Sequence, residues 1–269
     1  MRTIKLLLAY DGTEFVGWQR QPIGVSIQAM LEDALSRIEG GPVTVAGAGR
    51  TDAGVHAAGQ VASARVALTL DDPTLRRALN AVLPRTVRVL SVEDRPDGFH
   101  ARFSAQSKTY EYRIVNGPVA SPFLHRFAWH VPYRLEVPRM QEAARLLEGT
   151  HDFSAFGSTG TDAHTTIRTI LRSVLQCRTA RGDGLVDIPL PGGTLLVYEV
   201  TGPGFLRHMV RAIVGTLVEI GAGRLASADL HALLDRGRRE AAGPTAPAAG
   251  LCLVRVDYGE HAASVATQR

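Results

Sequence analysis

Residues 43–57 read VTVAGAGRTDAGVHA and hold the chain's densest set of chemically capable side chains: Arg50, Thr51, Asp52 and His56, set among glycines 47, 49 and 54. Glycine-rich turns after a strand often cradle phosphates, so nucleotide binding is the first chemistry to weigh. In GAGRTDAG, Asp52 stands where GxGxxG needs its third glycine. The following residues have the pattern of a strand, so no helix N-terminus waits for a pyrophosphate. Without GK[ST] it is no Walker loop either. What remains is a carboxylate with an arginine two residues before it. In an extended segment Arg50 and Asp52 would project to the same side, and the cation would favour the ionised carboxylate. A partly buried, ionised aspartate can attack an electrophilic carbon. The same residues also fit ordinary turn chemistry, with Thr51 or Asp52 bonding the loop backbone.

Two more clusters carry chemical potential. Tyr110 and Tyr112 alternate in KTYEY, so both rings lie on one face of a strand; they are either core or, for Tyr110 just after Lys108, a stacking surface for a base. Arg207, His208 and Arg211 open the apolar run FLRHMVRAIVG, where Arg207 and Arg211 at i, i+4 share a helical face. Guanidinium groups in such a setting need an anion. A structural carboxylate, Asp52 or an RNA phosphate would each serve.

The elements that position these residues follow from periodicity. TIKLLLAY is a strand, and residues 26–39 carry Ile27, Leu31, Leu35 and Ile38 at helical spacing, stopped by Gly40-Gly41-Pro42. VTVAGAG and QVASARV are strands, DDPTLRRALNAVL is a helix with Pro73 in its first turn, and TVRVLSVE is a strand. The second half repeats that order with additions: strand KTYEYRIV, helix VPRMQEAARLLEG, strands TIRTILRSVLQCR, LVDIPL and TLLVYEV, helices FLRHMVRAIVGTLVEIG and SADLHALLDRGR, and strand LCLVRVDY. Two copies of β-α-β-β-α-β predict an α+β fold of two ferredoxin-like halves, residues 1–104 and 105–269, with antiparallel sheets and the active site in a cleft between them. REAAGPTAPAAG and the tail after Tyr258 are the expected mobile parts.

Composition narrows the classes further. The 269 residues are 45% hydrophobic and 21% charged, which excludes bulk disorder. No run approaches the roughly 20 apolar residues of a membrane span. The opening MRTIKLLLAYDGTEF lacks a signal-peptide cleavage pattern, so a soluble cytoplasmic protein is expected. Cys177 and Cys252 cannot build a disulfide framework or a zinc site, and the nine histidines show no metal-ligand spacing, so no metal is expected. The net charge is only +4, but residues 95–134 alone hold six basic against two acidic residues. All but Lys5 and Lys108 of the 30 basic residues are arginine, whose planar fork suits phosphates and stacks on bases.

Taken together, LAYDGTEFVGWQRQP, GRTDAGVHA, GFHARFSA, KTYEY, HDFSAF, FLRHMVRAIVG and APAAGLCLVRVDY resemble, in order and over nearly the whole chain, the tRNA pseudouridine synthase A family. The resemblance implies a cofactor-free isomerase acting on uridines 38, 39 and 40 in the anticodon arm of tRNA, working as a homodimer. It puts Asp52 in the nucleophile's place and Arg50 in that of a supporting arginine. Arg207 becomes the carboxylate's basic partner, Tyr110 the base-packing tyrosine and Leu251 the apolar residue beneath the uracil. The competing readings are a non-catalytic RNA-binding protein of this fold and an oxidoreductase whose glycine loop binds a dinucleotide.

Overall fold

The computed structural model describes residues 1–158, 165–178, 190 and 192–259. The chain begins with β1 (Arg2–Tyr10), whose alternate residues Ile4, Leu6, Leu8 and Tyr10 are buried, as a strand with one face on a core requires. Helix α1 (Ile27–Glu39) starts at Ser26, whose hydroxyl accepts from the Ala29 amide, and ends at Gly40 in the left-handed region. Then come β2 (Val45–Gly47), β3 (His56–Val66), α2 (Asp72–Val82), capped by Asp71, and β4 (Val87–Arg95). The second half contains β5 (Ser107–Asn116), β6 (Trp129–Val131), α3 (Val137–Arg145), β7 (Gly149–Asp152), β8 (Ile167–Ile170), β9 (Arg172–Arg178) and β10 (Thr194–Gly202). It closes with α4 (Met209–Gly221), α5 (Asp229–Arg236) and β11 (Leu251–Asp257).

The fold is mixed, with one mostly antiparallel sheet ordered β4-β1-β3-β11-β5-β10-β9; β2 flanks β3 and β6 flanks β5, while β7 and β8 pair separately. One continuous core joins the inward strand residues to the apolar stripes of the helices: Leu31 and Leu35 of α1, Leu75 and Leu79 of α2, Met140 of α3, Ile213 and Leu217 of α4, Leu230 and Leu233 of α5. α4 is apolar nearly all round and correspondingly buried, with Met209, Val210, Ala212, Ile213, Val214, Leu217 and Val218 all in the core.

The structure differs from the periodicity in five places. TIRTILRSVLQCR is two strands broken at Leu171, β8 leaving the main sheet while β9 stays in it. β3 begins at His56, not Gln60, and α4 begins at Met209, because residues 205–208 form the turn that enters it. The short β6 and β7 carry too few residues to show a period. The segment REAAGPTAPAAG packs onto α4: the Gly243 amide donates to Thr216 Oγ1 and the Ala246 amide to the Arg211 carbonyl. Most of LVDIPL and the tail from residue 260 lie outside the described residues.

The two antiparallel portions of the sheet are not separate. They join at one parallel pairing, β3 with β11, of only two residue pairs: His56 with Cys252 and Ala57 with Leu253. Just beyond it Gly59 lies so close to β11 that a Cβ there would overlap the Val254 carbonyl oxygen. Gly→Ala in a compatible backbone stabilises by about 0.4–1 kcal/mol through the unfolded state. Here no side-chain rotation relieves the overlap with a carbonyl, and overpacking of this kind costs about 1–3 kcal/mol. Gly59→Ala is therefore expected to lower the melting temperature by several degrees in scanning calorimetry; an unchanged or raised value would mean the seam accommodates a methyl group.

Candidate active site

Asp52 stands in the loop that enters β3 at this seam. Its carbonyl accepts from the Val55 amide (3.1 Å), closing a turn whose third residue, Gly54, has φ +78, a conformation that favours glycine. The loop is held from beneath by residues 10–18. The Trp18 amide donates to the Thr51 carbonyl (3.0 Å), the Gly54 amide to the Phe15 carbonyl (3.3 Å), and Thr51 Oγ1 shares a hydrogen bond with the buried Tyr10 hydroxyl (2.9 Å). The fully buried Gln60 donates to the Gly49 carbonyl (2.9 Å). Asp52 does sit in a turn, as turn chemistry alone would have it, but only its backbone makes the turn. Its half-buried carboxylate points away, toward the start of α4.

There Oδ2 of Asp52 lies 3.6 Å from Nε2 of His208 and 3.8 Å from Nη1 of Arg211. Arg211 is itself fixed, its Nε donating to the Ala246 carbonyl (2.7 Å). His208 is pinned by Ser158, whose Oγ is 2.7 Å from Nδ1. Burial pushes the His208 pKa down, against the raising effect of Asp52, and Arg211, Arg207 and Arg239 push it lower still, so the imidazole is neutral at neutral pH. His208 has φ 62 and ψ 0, a left-handed conformation that costs a residue with a Cβ about 1–2 kcal/mol.

The remaining residues singled out by the sequence fall into two groups. Tyr110 is brought in. It is 7% exposed on β5, its ring meets Phe205 edge-on at 5.3 Å, and the loop's Gly49 lies beside its hydroxyl. Burial raises its pKa and keeps the phenol protonated. Leu251 is buried at the start of β11, directly after the 248–250 turn, whose Ala248 lies against Gly54 of the Asp52 loop. Arg50 is exposed to solvent and forms no ion pair with Asp52, whose basic neighbours are His208 and Arg211. Arg207 does not reach Asp52 either, because it precedes the helix and the i, i+4 spacing never places it on the Arg211 face; it is exposed and forms no ion pair with a described residue.

His56, in the same GRTDAGVH segment, is a structural pin. Its Nδ1 accepts from the Gly12 amide (3.0 Å) and Nε2 donates to the Arg126 carbonyl (2.7 Å), tying the 117–128 segment to the loop's exit. Accepting at Nδ1 means the ring is neutral, so the 3.2 Å approach of Asp11 is no ion pair at neutral pH. Burial lowers the His56 pKa below 6.5, outweighing the raising effect of Asp11. The carboxylates of Asp11 and Asp52 are the acids nearest these two histidines. Among the described residues no group of three or more His, Cys, Asp or Glu side chains could hold a metal ion, and no helix is long and apolar enough to cross a membrane.

The turn-borne carboxylate is thus faced by a partly buried arginine and a conformationally constrained histidine. A family model described as tRNA pseudouridine synthase matches residues 7–104 and 143–259. The chain is 45% identical over 261 residues to the tRNA pseudouridine synthase A of Solibacter usitatus, covering 96% of this chain and 100% of that one. It is 44% identical over 258 residues to that of Syntrophotalea carbinolica (96% and 97%) and 43% identical over 258 residues to that of Geobacter sulfurreducens (96% and 100%). The chain belongs to the tRNA pseudouridine synthase family.

Two predictions follow from this geometry. Arg211→Met is expected to reduce kcat by about 100-fold or more, since it strips a held cation from the carboxylate. Arg207→Ala should leave kcat in place and act, if at all, through KM, so steady-state kinetics of the pair decides which arginine serves Asp52. For His56, the folded pKa lies below the unfolded value of 6.5, so its contribution to stability is complete above that value and is lost as pH falls through the folded pKa. Melting temperature should thus decline as pH drops from 7 toward 5, and His56→Gln should flatten part of that slope; an identical slope in the variant would remove His56 from the pH response.

Proposed function

We propose that the chain isomerises uridine to pseudouridine at positions 38, 39 and 40 in the anticodon arm of tRNA, with Asp52 as nucleophile. The observation that carries this reading is the convergence of Arg211 and His208 on one oxygen of a carboxylate that makes no hydrogen bond to its own loop. Membership of the synthase family supplies the substrate class. The competing readings fare worse: α4 faces the loop with an arginine and a histidine and β3 follows it, so nothing there resembles a dinucleotide cradle. The acting form is a homodimer, a reading that rests on the family resemblance. The two halves are read as ferredoxin-like units of residues 1–104 and 105–269, supported by the matching strand orders β4-β1-β3-β2 and β11-β5-β10-β9.

The reaction breaks the N1–C1′ bond, turns the uracil, and joins C5 to C1′; the hydrogen lost from C5 balances the one gained at N1. No electrons leave or enter, and no atom is supplied. A base inside a stem is unreachable, so the nucleotide must be turned out into the site. A carboxylate serves this chemistry by adding to C1′ as the uracilate departs, or by removing the C2′ proton. Arg211 places a cation at the Asp52 carboxylate for either task, and the buried Tyr110 and Leu251 give the detached uracil an apolar wall. Both aromatic rings at this wall, Tyr110 and Phe205, are placed before substrate arrives.

Asp52→Asn keeps the size and most of the hydrogen-bonding capacity but removes the charge. An amide neither forms the covalent adduct at C1′ nor acts as a base at C2′. With unmodified tRNA, the wild type should form pseudouridine, and the variant should bind the tRNA with similar affinity and form none. A fully active Asn variant would return Asp52 to turn chemistry, where Asn is equally at home. An inactive wild type on tRNA with uridine at these positions would favour the RNA-binding reading.

A further inference from the structure

Nothing about the cap of α4 calls for histidine. His208 makes no side-chain cap hydrogen bond, and an N-cap is ordinarily extended and occupied by Ser, Thr, Asp or Asn. Yet it is the one non-glycine among the described residues with positive φ. Glycine or asparagine would take φ 62 more readily. What histidine adds is its ring, and both nitrogens are engaged. Nδ1 lies 2.7 Å from Ser158 Oγ, and Nε2 lies 3.6 Å from Asp52 Oδ2. The Ser158 amide also donates to the Arg207 carbonyl (3.2 Å), so the peptide leading into His208 is tied to the same residue that orients its ring.

The network assigns the tautomer. A carboxylate only accepts, so the hydrogen belongs on Nε2, and Ser158 must then donate its hydroxyl to Nδ1. Arg211 approaches the same oxygen, Oδ2, from the next turn of α4. Oδ2 is therefore the carboxylate oxygen nearest to both groups. A second full cation at Oδ2 would withdraw more charge from the carboxylate and blunt it as nucleophile or base. A neutral N–H orients it without that cost. At 3.6 Å the contact is longer than a hydrogen bond, as catalytic contacts often are before substrate closes them.

We infer that His208 is a positioning residue for the reaction: together with Arg211 it holds Asp52 by Oδ2 and so presents Oδ1 to the ribose. Either chemical role of Asp52 needs one oxygen with a free lone pair aimed at the sugar, and a carboxylate free to spin about its bond would present it only part of the time. Ser158 is the residue that aims the ring. The left-handed backbone is then explained by the ring's task and not by the helix. This inference rests on the reading of Asp52 as the catalytic carboxylate.

The test compares wild type, Asp52→Asn, His208→Gly and Ser158→Ala, using single-turnover rates on unmodified tRNA with melting temperature and tRNA affinity measured in parallel. Glycine accepts φ 62, so His208→Gly should melt no earlier than wild type and bind tRNA equally well. Its rate should fall about tenfold or more, the scale expected when a reacting group is misplaced. Added imidazole should restore part of that rate, which no purely structural role allows. Ser158→Ala leaves the backbone of residue 208 in place and should lose about threefold, the worth of one hydrogen bond. Wild-type rates in His208→Gly, a loss matched by weaker tRNA binding, or a loss that imidazole does not relieve would each overturn the inference. If His208→Gly melts early, Ser158→Ala decides: reduced rate at unchanged affinity supports the role, an unchanged rate overturns it. Activity in Asp52→Asn would instead overturn the reading of Asp52, and is thereby told apart.

Discussion

Two residue pairs of parallel strand hold the site together. Where β3 meets β11, the portion of sheet built from residues 1–104 meets the portion built from the rest, and the Asp52 loop is the segment that runs into this joint. Each neighbour of the carboxylate depends on it. Tyr110 is registered against Leu253 across β5 and β11, and Leu251 against Tyr112 one step further along. Arg211 reaches Asp52 while bonded to the 244–246 segment that leads into β11. A parallel pair this short contributes little by itself, so its register is secured from outside: by the close approach of Gly59, and by His56, the first residue of β3, bonded both to Gly12 and to Arg126.

The same joint explains where strain is placed. The N-half loop is comfortable, its one left-handed position being Gly54. The C-half side is not, since His208 carries a Cβ at positive φ. Around it the backbone is heavily determined: the Met209 amide donates to the Leu206 carbonyl, the Ala212 amide to the His208 carbonyl, and Ser158 bonds both the preceding Arg207 carbonyl and the His208 ring. An unfavourable conformation persists when its surroundings over-determine it, and such residues concentrate where geometry matters to function.

Much of this was legible in the sequence, and for a definable reason. Elements with many residues per period, such as α1, α2 and β5, announce themselves, and GRTDAGVH marks its own loop as chemically unusual. Arg211, and not Arg207, faces the carboxylate, which periodicity could not show because it cannot say where a helix begins: the apolar run starts at Phe205, but a turn closed by the Met209 amide on the Leu206 carbonyl delays the helix to Met209 and leaves Arg207 outside it. Arg50 was drawn toward Asp52 by its i, i+2 spacing, yet its side chain is exposed and the guanidinium nearest the carboxylate comes from α4. His208 was visible only as a neighbour of the two arginines. A histidine ahead of an uncapped helix is the signal that could have singled it out, whereas its partner Ser158, 50 residues earlier, has no local signature at all.

The basic stretch that suggested RNA also changes meaning in three dimensions. Some of its cations, and two arginines of β9, face carboxylates of this chain: Arg113 of the stretch and Arg178 of β9 both face Glu111, Arg126 faces Asp11 and Glu14, and Arg172 of β9 faces Glu199. These pairs are not equivalent. Arg172 and Arg126 are about half exposed, and an exposed pair is worth about 0–1 kcal/mol, less than the roughly 1.5–3 kcal/mol of a hydrogen bond to a charged group. A phosphate can therefore draw either away from its carboxylate at little loss. Glu111 is 12% exposed between its two arginines, and taking either one would leave a mostly buried carboxylate less compensated. Those two are better read as partners of Glu111, Arg113 from within β5 and Arg178 from β9, than as RNA contacts. Arg172 and Arg126 thus stay available to an anion, as do the exposed Arg50, Arg102, Arg134 and Arg207, of which Arg50 comes from the Asp52 loop and Arg207 from the turn that enters α4.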